Sequence, residues 1–168
     1  MNISIRPEQP KDQTVIRAIV TAAFPTDGEA RLVDALRANG KAIYSLVAVD
    51  DHEEVLGHIM FSSVTTPPST AKGLGLAPVA VKPELQNRGI GSQLIRSSLI
   101  ECKTDGFDYV VLLGNPTYYH RFGFQTASVF GLQNEYRADE AFMVLSLSKR
   151  ELPKGTVQYA DVFCLSSL

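Results

Sequence analysis

The stretch "APVAVKPELQNRGIGSQLIRSSLIEC", Ala77–Cys102, makes three backbone demands in succession. An apolar, β-branched run ending at Val81 reads as a strand, Lys82-Pro83 interrupts it, and from about Gly91 to Lys103 the chain follows an amphipathic helical pattern. Two glycines, Gly89 and Gly91, stand where the strand hands over to the helix. The first N–H groups of a helix have no intrahelical partners, and the helix dipole adds partial positive charge there, so such a junction attracts anions. Glycines remove side chains that would block a ligand and permit backbone angles that other residues resist. The amides of Arg88 to Ser92 can therefore wrap a phosphate or pyrophosphate, with the Arg88 charge beside them.

Outward from this stretch the chain is an assortment of short elements. Ile3 and Ile5 mark a first strand. Asp12 is placed to cap a helix on which Val15, Ile16, Ile19, Val20 and Ala23 recur at helical spacing, and Pro25 ends it. Asp27 is placed to cap a second helix carrying Leu32, Val33 and Leu36, with Gly40 as a left-handed stop. "AIYSLVAVD" and "VLGHIMFSSV" read as an antiparallel hairpin turning at Asp50 to Glu54. "TTPPSTAKG" is a loop, and a strand follows near Leu76 to Lys82. "YVVLL" reads as a central strand covered on both faces, and "FMVLSL" and "VQYADVF" (Val157–Phe163) as two late strands. The order β, α, α, β, β, β, α, β, a short segment, β, β indicates a mixed α+β or α/β three-layer fold.

At 168 residues, 45% hydrophobic and 20% charged, the chain is expected to form one soluble globular domain over residues 1–168. A net charge of −2 gives no electrostatic case for nucleic acid or an anionic membrane. The N-terminal "MNISIRPEQPKDQ" lacks the apolar core of a signal peptide, and no run reaches the length of a membrane span. Cys102 and Cys164 are far apart with no CxxC spacing, which fits a reducing compartment, so the cytoplasm is the expected location. The three histidines and two cysteines show no metal-site spacing. Ser62, Ser63 and Ser92 lack the context of an acyl-enzyme nucleophile.

The glycine arm excludes two familiar nucleotide sites. A Walker loop needs Gly-Lys-Ser/Thr, whereas Gly91 precedes Ser92 and Gln93; a dinucleotide fingerprint needs a third glycine where Leu94 stands. "VAVKPELQNRGIGSQLI" instead resembles the acetyl-coenzyme A motif of the GNAT N-acetyltransferase superfamily. The resemblance implies a three-layer GNAT-like α/β fold, a central mixed sheet with splayed strands flanked by helices. It also implies acetyl-CoA as cosubstrate, with Val79, Ala80 and Val81 meeting the pantetheine arm. Asn87, Arg88, Gly89, Ile90, Gly91 and Ser92 would then cradle the pyrophosphate.

Downstream, "LLGNPTYYHRFGF" is similar to the family's second signature, in which a tyrosine stands four residues before the glycine of a Gly-Phe pair. Tyr119 holds that place relative to Gly123 and Phe124. The resemblance makes it the acid that protonates the departing coenzyme A thiolate, a reasonable role for a phenol of reference pKa about 10. Tyr118 reads as a packing aromatic. The connection Asn115-Pro116-Thr117 is shorter than in common members. This compressed form, and "AFPTDGEARLVDALR" near the N-terminus, resemble a bacterial branch of predicted acetyltransferases. Asn115 either touches coenzyme A or caps the turn before Pro116.

The acceptor would be an amine of a small molecule or a protein, attacking the thioester directly; the alternative is a non-catalytic acyl-CoA sensor or scaffold of the same fold. No residue declares itself the general base. His58 shares a strand face with Leu56 and Met60 and reads as packed, His52 sits in a charged turn, and His120 adjoins Tyr119 on a loop. Glu29 opens the second helix, where acids favour the dipole regardless of function. The resemblance places it on the acceptor side, as a candidate to grip a cation. Whether the chain is a monomer or a homodimer, and which amine it takes, leave no motif.

Overall fold

Polar residues at the edges of apolar repeats set the first elements of the chain, whose residues 1–136 and 138–161 are described by a computed structural model. Strand β1 (Ser4–Pro7) leads through a 3-10 turn into α1 (Gln13–Ala23), and α2 (Gly28–Ala38) follows. Asp12 and Asp27 occupy the N-cap positions as expected, but neither carboxylate bonds the amides of its own helix. Asp12 accepts from the Gln9 N–H at 2.7 Å and from Arg6 at 2.8 Å, tying the helix entry to β1. Asp27 pairs with Arg31 one turn on at 3.4 Å. Gly40 stops α2 at φ +66°, with the Lys41 N–H reaching back to the Leu36 carbonyl at 2.8 Å.

Strands β2 (Ala42–Val49) and β3 (Val55–Val64) form the expected antiparallel hairpin. The Asp50 carboxylate closes it by accepting from the N–H groups of His52 and Glu54 at 2.9 and 3.0 Å. Strand β4 is Gly73–Val81, starting three residues before the expected Leu76, and α3 is Ile90–Thr104. The remaining elements are β5 (Tyr109–Leu113), the single turn α4 (Pro116–Tyr119), β6 (Gln125–Thr126), β7 (Leu132–Asn134), β8 (Phe142–Ser146) and β9 (Gly155–Val157).

The residues fall into two compact units, one of Met1–Ser62, Ala77–Ser98 and Asp161, the other of Ser63–Leu76 and Leu99–Ala160. In the first, β1 pairs β2 from Ser4↔Val49 to Pro7↔Leu46. The Lys82 N–H donates to the Leu56 carbonyl at 2.9 Å, which sets the later part of β4 against β3. Ile16, Ile19 and Val20 of α1, Leu32, Val33 and Leu36 of α2, and Leu94 and Ile95 of α3 are buried with Leu46–Val49 and Ile59. The helical spacing of these residues is what gives each helix one apolar face.

In the second unit β4 and β5 are parallel from Gly73↔Tyr109 to Gly75↔Val111, where their register ends. β5 and β8 are antiparallel from Tyr109↔Ser146 to Leu113↔Phe142, and β6 adds two pairs on β8. Val64, Tyr109, Val111, Leu132, Phe142, Val144 and Val157 form the core. The one polar atom that Tyr109 carries into it is satisfied by Thr66, hydroxyl to hydroxyl at 2.7 Å.

The late strand expected over Val157–Phe163 is displaced. It is Gly155–Val157, paired in parallel with β7 from Leu132↔Gly155, and Gln158 adds only an isolated bridge to Thr65. Val162, Phe163 and Cys164 lie outside the described residues. Among the described residues no helix is long and apolar enough to cross a membrane.

Candidate active site

The glycine arm belongs to the first unit. In β4, Ala80 is buried while Val79 and Val81 are half-buried, and Pro78 has no N–H to give a ladder. A 3-10 turn at Pro83–Leu85 ends the strand, and the Gln86 amide donates to the Val81 carbonyl at 3.2 Å. Asn87 and Gly89 then take the left-handed conformation at φ +63° and +86°, turning the chain twice within three residues. The Gln93 N–H donates to the Gly89 carbonyl at 3.0 Å. Gly89 is thus the N-cap, and the amides of Ile90, Gly91 and Ser92 are the first-turn donors without an intrahelical acceptor.

A β-carbon on Gly89 would meet nothing within 4 Å, so the backbone at this N-cap borders open space. Arg88 is exposed beside them, and Ile90, 2% exposed, turns its side chain into the core and offers only its amide. Alternating left-handed residues, free amides, a helix dipole and a guanidinium together fit a pyrophosphate. The helix carrying the arm is held at its start by Gln93, whose amide donates to the Ile3 carbonyl at 2.9 Å.

Tyr119 and Asn115 belong to the second unit. Asn115 caps α4, its Oδ1 accepting from the Thr117 N–H at 3.0 Å with Pro116 at the first helical position. The turn before Pro116 is therefore what its carbonyl serves. His120–Phe122 continue as a 3-10 turn that Gly123 ends at φ +95°, and Phe124 is fully buried. The Tyr119 ring stands edge-on to Tyr118 at 5.0 Å and to Phe124 at 5.9 Å. Burial, with a small contribution from Tyr118, pushes the Tyr119 phenol up to about 12. The proton stays on, and among the described residues the hydroxyl has no hydrogen-bond partner. Tyr118 lies under the Arg121 guanidinium, its ring centre 4.5 Å away. His120 Nδ1 lies 2.9 Å from the Phe124 carbonyl, which can only accept, so Nδ1 carries the proton.

A buried polar network in the first unit had no sequence signal. Arg37 grips Glu8 with two bonds of 2.8 and 2.7 Å, the Ser45 hydroxyl donates to Glu8 at 2.6 Å, and Ser45 Oγ lies 2.8 Å from His58 Nε2. With the serine proton committed to the carboxylate, His58 donates from Nε2 and its Nδ1 is bare, buried and unpartnered among the described residues. Burial lowers the His58 pKa to about 4; the Glu8 charge opposes this and Arg37 adds to it. His58 is the packed histidine that strand alternation indicated. Glu29 opens α2 as expected, and its Oε2 is buried with no hydrogen-bond partner among the described residues.

The family model described as an acetyltransferase (GNAT) domain matches residues 4–127. The N-acetyltransferase YhbS of Escherichia coli is 36% identical over 162 residues, 95% of this chain and 97% of the relative. The crystal structure of YhbS in complex with CoA superposes with a TM-score of 0.93 at 34% identity, covering 98% of this chain and 93% of that one. A GNAT family acetyltransferase from Brucella melitensis, solved in complex with acetyl-CoA, gives a TM-score of 0.82 at 36% identity, covering 96% and 98%. Relatives more than a third identical along nearly the whole chain, and a domain match that takes in both the glycine arm and Tyr119, make this protein an N-acetyltransferase of the GNAT family.

Proposed function

We propose that the protein moves an acetyl group from acetyl-CoA to an amine acceptor by direct attack of the neutral amine on the thioester carbonyl. The observation that carries this reading is the arm itself: open space before Gly89, orphan amides at Ile90–Ser92, and Arg88 beside them. The two similar proteins solved with CoA and acetyl-CoA support the choice of anion.

In this reading Asn87–Ser92 hold the pyrophosphate and the backbone at Val79–Val81 orients pantetheine and the thioester, an amide N–H there polarising the carbonyl. The amine nitrogen forms its bond to the acetyl carbon, the carbon–sulfur bond breaks, and the thiolate takes the Tyr119 phenolic proton. The acceptor nitrogen sheds its extra proton to solvent, from which the Tyr119 phenolate is reprotonated; His58, fully buried, is closed off from that exchange. The unpartnered Oε2 of Glu29 suits an ammonium group on the acceptor.

Free thiol release from acetyl-CoA, followed with a pool of spermidine, free lysine and a lysine-containing peptide, tests the proposal. Amine-dependent release is expected, and Tyr119→Phe should lower it by about 10²–10⁴-fold, the usual range for a general acid. Binding of coenzyme A in calorimetry without amine-dependent release across that pool would show an acyl-CoA sensor instead.

A further inference from the structure

We infer that Gly114 is a positioning residue for acetyl transfer: the missing side chain at the end of β5 is the seat of the Tyr119 ring. The inference rests on the proposed role of Tyr119 as the acid. An ideal β-carbon built on Gly114 falls 2.5 Å from Cε2 and 2.9 Å from Cδ2 of Tyr119, and 3.3 Å from Leu112 Cδ1. Carbon atoms rest at about 3.5–4.0 Å, so any residue other than glycine drives the ring away by about 1 Å.

Nothing else at this position asks for glycine. Gly89, Gly123 and Gly131 have positive φ and Gly114 does not, so an L-residue meets no backbone strain there. Neither can the backbone retreat from the ring. The Gly114 N–H is bonded to the Ala141 carbonyl at 2.9 Å, one residue beyond the Leu113↔Phe142 pair of the ladder, and Asn115 next to it caps α4. Tyr118 and the fully buried Phe124 also pack edge-on with the ring, at 5.0 and 5.9 Å. The ring is therefore held by contact with a strand end as well as with aromatic neighbours. The strand end has to be bare for that contact to form.

A proton donor has to lie within hydrogen-bond reach of its acceptor, and a misplacement of about 1 Å costs on the order of 10²-fold in rate. Displacement also alters the phenol's surroundings, since burial is what holds its pKa near 12. Position and acidity are then two readouts of one seat, and only the first passes through catalysis.

The test compares Gly114→Ala, Tyr119→Phe and the double variant in acetyl-CoA thiol release with the same amine pool, beside an ultraviolet titration of tyrosinate. Gly114→Ala should lower kcat by about 10²-fold while the KM for acetyl-CoA stays within about twofold. Added to Tyr119→Phe it should lower kcat no further. In the titration, the tyrosine that Tyr119→Phe removes should ionise at lower pH in Gly114→Ala. Should Gly114→Ala fold poorly, Gly114→Ala/Phe124→Leu opens room beside the ring and should regain folding and part of kcat. Unchanged kcat and titration in Gly114→Ala, with Tyr119→Phe impaired, would overturn the inference alone. A fully active Tyr119→Phe would instead overturn the role of Tyr119, and the titration would then decide the seat by itself.

Discussion

His58 joins a sequence pattern to a measurable pH dependence. Strand alternation places it on the face of Leu56 and Met60, and its ring is fully buried, bonded to Ser45 and through it to Glu8 and Arg37. Burial holds the imidazole neutral, moving its pKa from 6.5 to about 4. The folded form binds this proton less readily than the unfolded chain does. The associated stability is therefore complete above about pH 6.5 and is lost as pH falls toward 4. A shift of that size corresponds to roughly 3 kcal/mol. Burial pushes the Glu8 carboxyl up, but hydrogen bonds from Arg37 and Ser45 bring it below the ordinary range, so its loss comes at still lower pH. Urea denaturation between pH 7 and 4 should show wild type losing this increment while His58→Asn, weaker at pH 7, stays nearly flat over the same window. Parallel curves would remove His58 as the cause. The histidine's burial was legible from alternation, but its partners were not, because Glu8 stands 29 positions from Arg37 and 37 from Ser45 and no local pattern links them.

Elements were legible where one segment carries its own signal. The hairpin β2–β3, the stop at Gly40 and the helix α3 after the glycine arm all follow from periodicity or turn chemistry within a few residues. The strands β6 and β7, of two and three residues, carry no local signal, and β9 starts two residues before the expected Val157, because such strands exist only through pairing with distant partners. The site divides in the same way. The arm and "YYHRFGF" are contiguous motifs, whereas the seat at Gly114 needs the folded position of a ring five residues on. Gly57 is a second close approach of this kind, at the level of packed elements. A β-carbon on it would fall 2.9 Å from the Ala80 carbonyl oxygen, 3.1 Å from Leu94 Cδ1 and 3.5 Å from Ile90 Cγ2. Ile90 and Leu94 are one turn apart on the buried face of α3, directly after the arm, and a backbone carbonyl cannot step aside as a side-chain tip can. Gly57→Ala should cost about 1–3 kcal/mol by overpacking and should weaken coenzyme A binding by shifting the first turn of α3. Denaturant midpoints and calorimetry check the two effects; an unchanged midpoint would show that β3 and α3 have room to separate.

For the whole molecule, the solvent-exposed charges add little and the ligand should add much. Several ion pairs are solvent-exposed, such as Arg17–Asp34 and Arg31–Asp27, and pairs of this kind contribute roughly 0–1 kcal/mol each. A ligand that binds only the folded chain acts on the entire equilibrium instead, adding about 2.7 kcal/mol at a hundredfold excess over Kd. At about 2–4 °C per kcal/mol for a chain of this length, saturating coenzyme A should raise Tm by roughly 5–10 °C. Gly89→Val separates this contribution from the fold. Its β-carbon enters open space, so no packing is lost, but the left-handed φ of +86° costs a branched residue about 1–2 kcal/mol. The variant should melt a few degrees lower without ligand and show no shift with it, since a branched side chain and a strained φ at the N-cap both disturb the arm that is proposed to hold the pyrophosphate. A full shift retained in Gly89→Val, read by thermal unfolding at the same coenzyme concentrations, would mean that the pyrophosphate is held elsewhere and that the glycine serves only the turn.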